Sequence, residues 1–200
     1  MSRRRPFIIF FGNTAVAMLL VYGGCDLFET RTPQNPSQSG STFTDPTSQD
    51  VVINNLRYAI SEKVKLNYLR CLADTQSNGR NFSFTPTVEA ASRYQGVFES
   101  WDRASEEQYF KNLSESRTGG VSSLDFFDAT WNPVASDEFL YTAKYHLIFQ
   151  HQNGSVGQEA RGNAQFYIAR DNQSRWSIYR WVDLRDTSNV TWSDLKASFH

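Results

Sequence analysis

Thr142-Ala143-Lys144-Tyr145-His146-Leu147-Ile148-Phe149-Gln150 places Ala143, Tyr145, Leu147 and Phe149 on one parity and Thr142, Lys144, His146 and Gln150 on the other. Alternation with a period of two predicts a strand with one buried face. The pattern recurs on both sides of this stretch. Leu124 and Phe126 alternate with Ser123 and Asp125, and Ala164, Phe166 and Ile168 with Asn163, Gln165 and Tyr167. Trp176 and Ile178 open a fourth run to about Asp183. Asn153-Gly154 and Asp171-Asn172-Gln173 supply turn chemistry between runs. Four strands joined by hairpins predict an antiparallel meander with one apolar face.

Upstream of Gly119-Gly120 the period is helical. Val52, Leu56, Ala59 and Ile60 predict an amphipathic helix to about Ser61, with Ser48 or Thr47 as its N-cap. Glu62-Lys63 breaks it, and Val64, Tyr68, Leu69, Cys71 and Leu72 predict a second, shorter helix that buries the Cys71 thiol. Residues 74–80 read as a loop, and Phe82-Ser83-Phe84 as a short extended piece. Phe98, Trp101, Tyr109, Phe110 and Leu113 predict one long helix through about Ser116, with Glu99, Arg103, Glu106 and Lys111 on its solvated side. Three helices ahead of a meander must cover its apolar face, which makes the class α+β.

The amino terminus has the form of an export signal. Arg3, Arg4 and Arg5 precede two apolar runs broken by Gly12-Asn13-Thr14, and neither run approaches the roughly 20 residues of a membrane span. Tyr22-Gly23-Gly24-Cys25 resembles the lipobox of bacterial lipoproteins, although an aliphatic residue usually stands where Tyr22 does. That resemblance implies a signal peptide over 1–24, lipid attachment at Cys25, and a domain held outside the cytoplasm at the cell envelope. Arg4-Arg5-Pro6-Phe7-Ile8 also resembles a twin-arginine signal, with the general secretory route preferred. Residues 32–42 contain no aliphatic and no charged residue, so 25–46 reads as an attachment cysteine and flexible stalk, ahead of a domain over 47–200.

The 200 residues are 40% hydrophobic and 14% aromatic with a net charge of -1, enough for a packed core and too little basic charge for nucleic acid. Loss of residues 1–24 would remove three arginines and no acid, shifting the net charge from -1 to -4. The membrane contact would therefore come from the lipid. Three scattered histidines and two cysteines give no closed metal-ligand set, and Gly119-Gly120 lacks the Lys-Ser/Thr of a phosphate loop, so no cofactor is expected.

Helices followed by a meander ending in Trp176-x-Ile178-x-x-Trp181-x-Asp183 resemble the nuclear-transport-factor-2-like cone fold. The chain is similar to uncharacterised bacterial lipoproteins of that fold through Cys25-Asp26-Leu27-Phe28-Glu29, Asn55-Leu56, Asn67-Tyr68, Glu106-Glu107-Gln108-Tyr109-Phe110 and Thr191-Trp192-Ser193-Asp194-Leu195-Lys196-Ala197. The resemblance implies three helices packed on a strongly curved four-stranded antiparallel sheet. It also implies a cone lined by Tyr145, Phe149, Phe166 and Trp176, with Asp128 as the best inward carboxylate by parity. Asp183 would also face inward if a bulge lay between Ile178 and Trp181. His146 has the wrong parity for such a site, and His151 adjoins a turn. The expected function is a non-catalytic envelope lipoprotein whose cone binds a small apolar ligand or a partner protein, with a homodimer left open. The alternative is a lipid-anchored isomerase or dehydratase using an inward Asp as general base.

Overall fold

The computed structural model describes residues 41–200, and for residues 77 and 78 the backbone alone. The elements are α1 (Gln49–Glu62), α2 (Lys65–Arg70), α3 (Thr75–Asn78), β1 (Ser83–Thr85), α4 (Val88–Arg93), α5 (Arg103–Glu115), β2 (Ser123–Ala135), β3 (Glu138–Ile148), β4 (Glu159–Arg170), β5 (Trp176–Leu184) and α6 (Trp192–Ser198). The signal segment, Cys25 and the tether as far as residue 40 lie outside the described residues.

Strands β2 to β5 form the expected antiparallel meander, but the sheet has five strands in the order β1-β5-β4-β3-β2. The extended piece at Ser83 pairs in parallel with β5, setting Phe84 beside Trp181, so the sheet is mixed. A three-residue strand carries no countable period, which is why the sequence reading left it unpaired.

The helices also depart from expectation. The predicted long helix begins later than expected, as α5 at Arg103, and an unforeseen short helix, α4, precedes it across a loop in which Gly96 has φ 85°. Asp102 starts α5 by accepting from the Ala104 and Ser105 amides at 2.9 and 3.0 Å, so Phe98 and Trp101 are loop residues whose rings pack inward. The loop over 74–80 contains α3, and the closing Thr191-Trp192-Ser193-Asp194 motif starts α6 through an Asp194 carboxylate that accepts from the Thr191 amide at 2.9 Å. Residues 41–46, placed in the stalk by the sequence reading, are tied to the domain. Asn55 exchanges two hydrogen bonds with the Thr44 backbone, and Trp176 N–H donates to the Pro46 carbonyl at 2.8 Å.

Two bulges decide which side chains enter the core. On β5, Tyr167 pairs with Arg180 and Ile168 with Ile178, leaving Tyr179 as an extra residue. Trp181 and Asp183 thereby join Trp176 and Ile178 on the inner face. On β2, Phe127 pairs with Lys144 and Thr130 with Thr142, and the extra residue lies at Asp128-Ala129. Helices α1, α2, α5 and α6 supply Leu56, Tyr68, Phe110 and Trp192 to cover the inner face, with the Tyr68 and Phe110 rings stacked at 4.1 Å.

Candidate functional site

The expected lining of the cone is core. Tyr145, Phe149, Phe166 and Trp176 are 2%, 0%, 0% and 7% exposed, and the Phe166 ring meets Trp181 at 4.9 Å. Asp128 is not inward. It sits at the β2 bulge with φ 52°, and its exposed carboxylate accepts from Lys144 Nζ at 2.8 Å. Counting parity through the bulge gave the wrong face. His146 lies 2.8 Å from Glu159, and His151 is buried against Phe199 rather than at a rim. Among the described residues no group of His, Cys, Asp and Glu is arranged to hold a metal ion.

The inward carboxylate is Asp183, with no exposed surface. Tyr145 donates its hydroxyl to Asp183 Oδ1 at 2.9 Å. Asp183 Oδ2 accepts from the Ser193 amide at 2.8 Å and the Ser193 hydroxyl at 2.5 Å. Tyr145 Oη in turn accepts from the Trp192 amide at 2.7 Å, so the first turn of α6 is clamped onto β3 and β5. Burial raises the Asp183 pKa, against the lowering effect of these hydrogen bonds and of Lys196.

The clamp requires a glycine on β4. Gly162 stands opposite Tyr145, and a Cβ there would lie 2.7 Å from Tyr145 Oη and 2.8 Å from the Leu184 carbonyl oxygen. Backbone cannot yield as a side-chain tip can. Gly162→Ala is expected to lower stability by about 1–3 kcal/mol in urea denaturation, although glycine is ordinarily the poorer strand residue.

A second buried polar cluster joins α5 to α6. Glu106 and Lys196 are both 0% exposed and form an ion pair. Glu106 also accepts from Trp101 Nε1 at 2.8 Å and from the Tyr68 hydroxyl at 2.7 Å. Lys196 Nζ lies 4.1 Å from the Trp181 ring centroid and 4.3 Å from that of Phe84, an aromatic surround suited to a cation. Burial pulls the Lys196 pKa down to about 8, with Glu106 opposing. Neither residue was foreseen: Glu106 was placed on the solvated side of its helix.

Burial also raises the pKa of Tyr68, Tyr109 and Tyr145 well above the ordinary value. Above about pH 10 the unfolded chain ionises these phenols while the native state holds their protons, so stability falls as pH rises. Lys196 acts in the opposite sense. Its depressed pKa means the native state releases a proton first, which adds stability between about pH 8 and 10.5. Burial also holds the proton on the Cys71 thiol, which offsets the Lys196 gain from about pH 9, so urea midpoints are expected to change little from pH 8 to 10 and to drop beyond it. A steady fall from pH 8 would contradict the Lys196 assignment.

A cleft of about 700 Å³ lies outside this centre, bordered by Phe84, Phe98, Trp101, Glu99 and Arg103. Phe84 and Trp101 belong both to that cleft and to the surround of Lys196. Trp176 borders a smaller recess of about 230 Å³ with Arg70 and Arg175.

No protein-family model matches the sequence, and no curated protein matches it. Among solved structures, a candidate aromatic ring hydroxylase from Novosphingobium aromaticivorans is similar with a TM-score of 0.51 and 11% identity, over 78% of this chain and 94% of that one. The likeness is one of fold. A nuclear-transport-factor-2-like protein of unknown function in nutrient uptake from Rhodospirillum rubrum follows with a TM-score of 0.49 and 12% identity, over 70% and 98% of the two chains. A candidate ketosteroid isomerase from Parabacteroides distasonis has a TM-score of 0.46 and 9% identity, over 74% and 93%. The class is thus α+β, a five-stranded mixed sheet covered by helices, and such a scaffold assigns no chemistry.

Proposed function

We propose that the chain is a bacterial envelope lipoprotein, exported and anchored through Cys25, whose cone domain binds a small apolar ligand or an envelope partner without catalysis. The supporting observation is that the polar groups at the centre are consumed by one another. Asp183 is held by Tyr145 and Ser193, and Glu106 by Lys196, Trp101 and Tyr68, while Tyr145, Phe149 and Phe166 fill the space a substrate would need. Lipidation is tested by Cys25→Ser, which is expected to move the domain from the membrane to the soluble fraction. Intact mass should give an acylated Cys25 as the first mature residue. Cleavage elsewhere with an unmodified Cys25 defeats the anchor.

One observation favours the enzymatic alternative. Asp183 is a fully buried acid with a raised pKa, the setting in which a carboxylate can act as a general base. Turnover of a ketosteroid-like or hydroxylated apolar substrate, lost in Asp183→Asn, would establish that reading over the binding one.

A further inference from the structure

A groove of about 240 Å³ runs between α1 and the β2–β3 hairpin, apart from the sealed centre and the larger cleft. Its walls are Phe126, Trp131 and Tyr141, with Ile53, Asn54 and Arg57 of α1 opposite. The bulge builds it. Phe126 pairs with Tyr145 and Trp131 with Tyr141, so the two β2 rings are five residues apart against four on β3. Without the extra residue at Asp128-Ala129, Trp131 would turn to the outer face. With it, Trp131 lies 4.6 Å from the Tyr141 ring, and Phe126 meets the same ring edge-on at 5.6 Å.

Tyr141 is the polar end of the groove. It is 5% exposed, yet no hydrogen bond engages its hydroxyl among the described residues. The remaining exposure reaches the hydroxyl oxygen, which water can satisfy, so a molecule that fills the groove must replace that hydrogen bond or lose it. Arg57 and Asp50 act on Tyr141 in opposite senses. Arg57 is already engaged, donating to the Leu124 carbonyl at 3.0 Å and to Asp125 at 3.1 Å. The groove therefore offers three rings, one hydroxyl and no free cation, with the exposed Asp50 carboxylate among its lining residues.

We propose that this groove takes an uncharged planar aromatic molecule of one or two fused rings carrying a hydroxyl or ring nitrogen that completes Tyr141. The proposal rests on the binding reading above and places the ligand in this groove. The size suits a fragment-scale ligand flanked by aromatic walls, with one polar group fixing its orientation.

The test titrates the full chain with 2-naphthol, naphthalene and 2-naphthoate. The expected result is saturable one-to-one binding of 2-naphthol, with 2-naphthoate weaker by about tenfold because no free cation meets its charge. Tyr141→Phe is expected to weaken 2-naphthol by about fivefold and to leave naphthalene unchanged. Trp131→Ala should weaken both by about tenfold. Ala129→Phe, at an exposed position where folding is not at stake, should block the groove and abolish binding. Absence of saturable binding overturns the proposal, as does binding indifferent to Trp131→Ala and Ala129→Phe. Binding lost instead in Phe98→Ala moves the ligand to the larger cleft and leaves the binding reading intact. Turnover lost in Asp183→Asn overturns that reading itself.

Discussion

Lys196→Met is expected to lower stability by about 3–5 kcal/mol at neutral pH. Lys196 and Glu106 are both 0% exposed, so removing the ammonium strands a carboxylate among aromatic rings. The remaining partners of Glu106 are neutral donors, Tyr68 and Trp101, which cannot balance its charge. The Glu106→Leu and Lys196→Met double variant removes both charges together. It should recover part of the loss and leave only two orphaned donors, at about 1–3 kcal/mol each. Urea denaturation of the single and double variants at neutral pH checks this. A single-variant loss below about 1 kcal/mol would show that the pair is hydrated and does not cement α5 to α6.

The sequence makes this pair legible in hindsight. Glu106 precedes Tyr109, Phe110 and Leu113 by three, four and seven positions, which is the apolar stripe of α5 and not its solvated side. Lys196 follows Trp192 by four and precedes Phe199 by three, again on the stripe of its helix. Two stripe positions of opposite charge are a signal of mutual burial, because neither is tolerable inside alone. The strand parities were readable for the converse reason: Ala143, Tyr145 and Leu147 lie in a stretch of β3 with no extra residue, and Phe149 follows it directly. Asp128 failed because parity counted from Leu124 has no means of registering an extra residue. The same device on β5 turned Asp183 inward, which the sequence expressed only as a condition. Parallel β1 was illegible because its pairing depends on a partner about 100 residues away and not on any local period.

Asp183→Ala is expected to cost about 3–5 kcal/mol, and Asp183→Asn only about 1–2 kcal/mol, with the difference set by hydrogen-bond inventory. Alanine leaves three donors without an acceptor: the Ser193 amide, the Ser193 hydroxyl and the Tyr145 hydroxyl. Asparagine retains one carbonyl oxygen, which can keep both Ser193 donors. Its amide nitrogen then faces Tyr145 Oη, which already accepts from the Trp192 amide and has a second lone pair to offer. The sole casualty is the Tyr145 proton. Removal of a buried charge whose ionisation is disfavoured also offsets part of the loss. The α6 clamp should therefore persist in Asp183→Asn and loosen in Asp183→Ala, as read by hydrogen exchange of the Trp192 and Ser193 amides alongside urea midpoints. Equal losses in the two variants would mean that the carboxylate charge, rather than its acceptor geometry, holds α6 in place. The same contrast makes Asp183→Asn the right variant for the chemical question, since it removes the candidate base from a cone that remains folded.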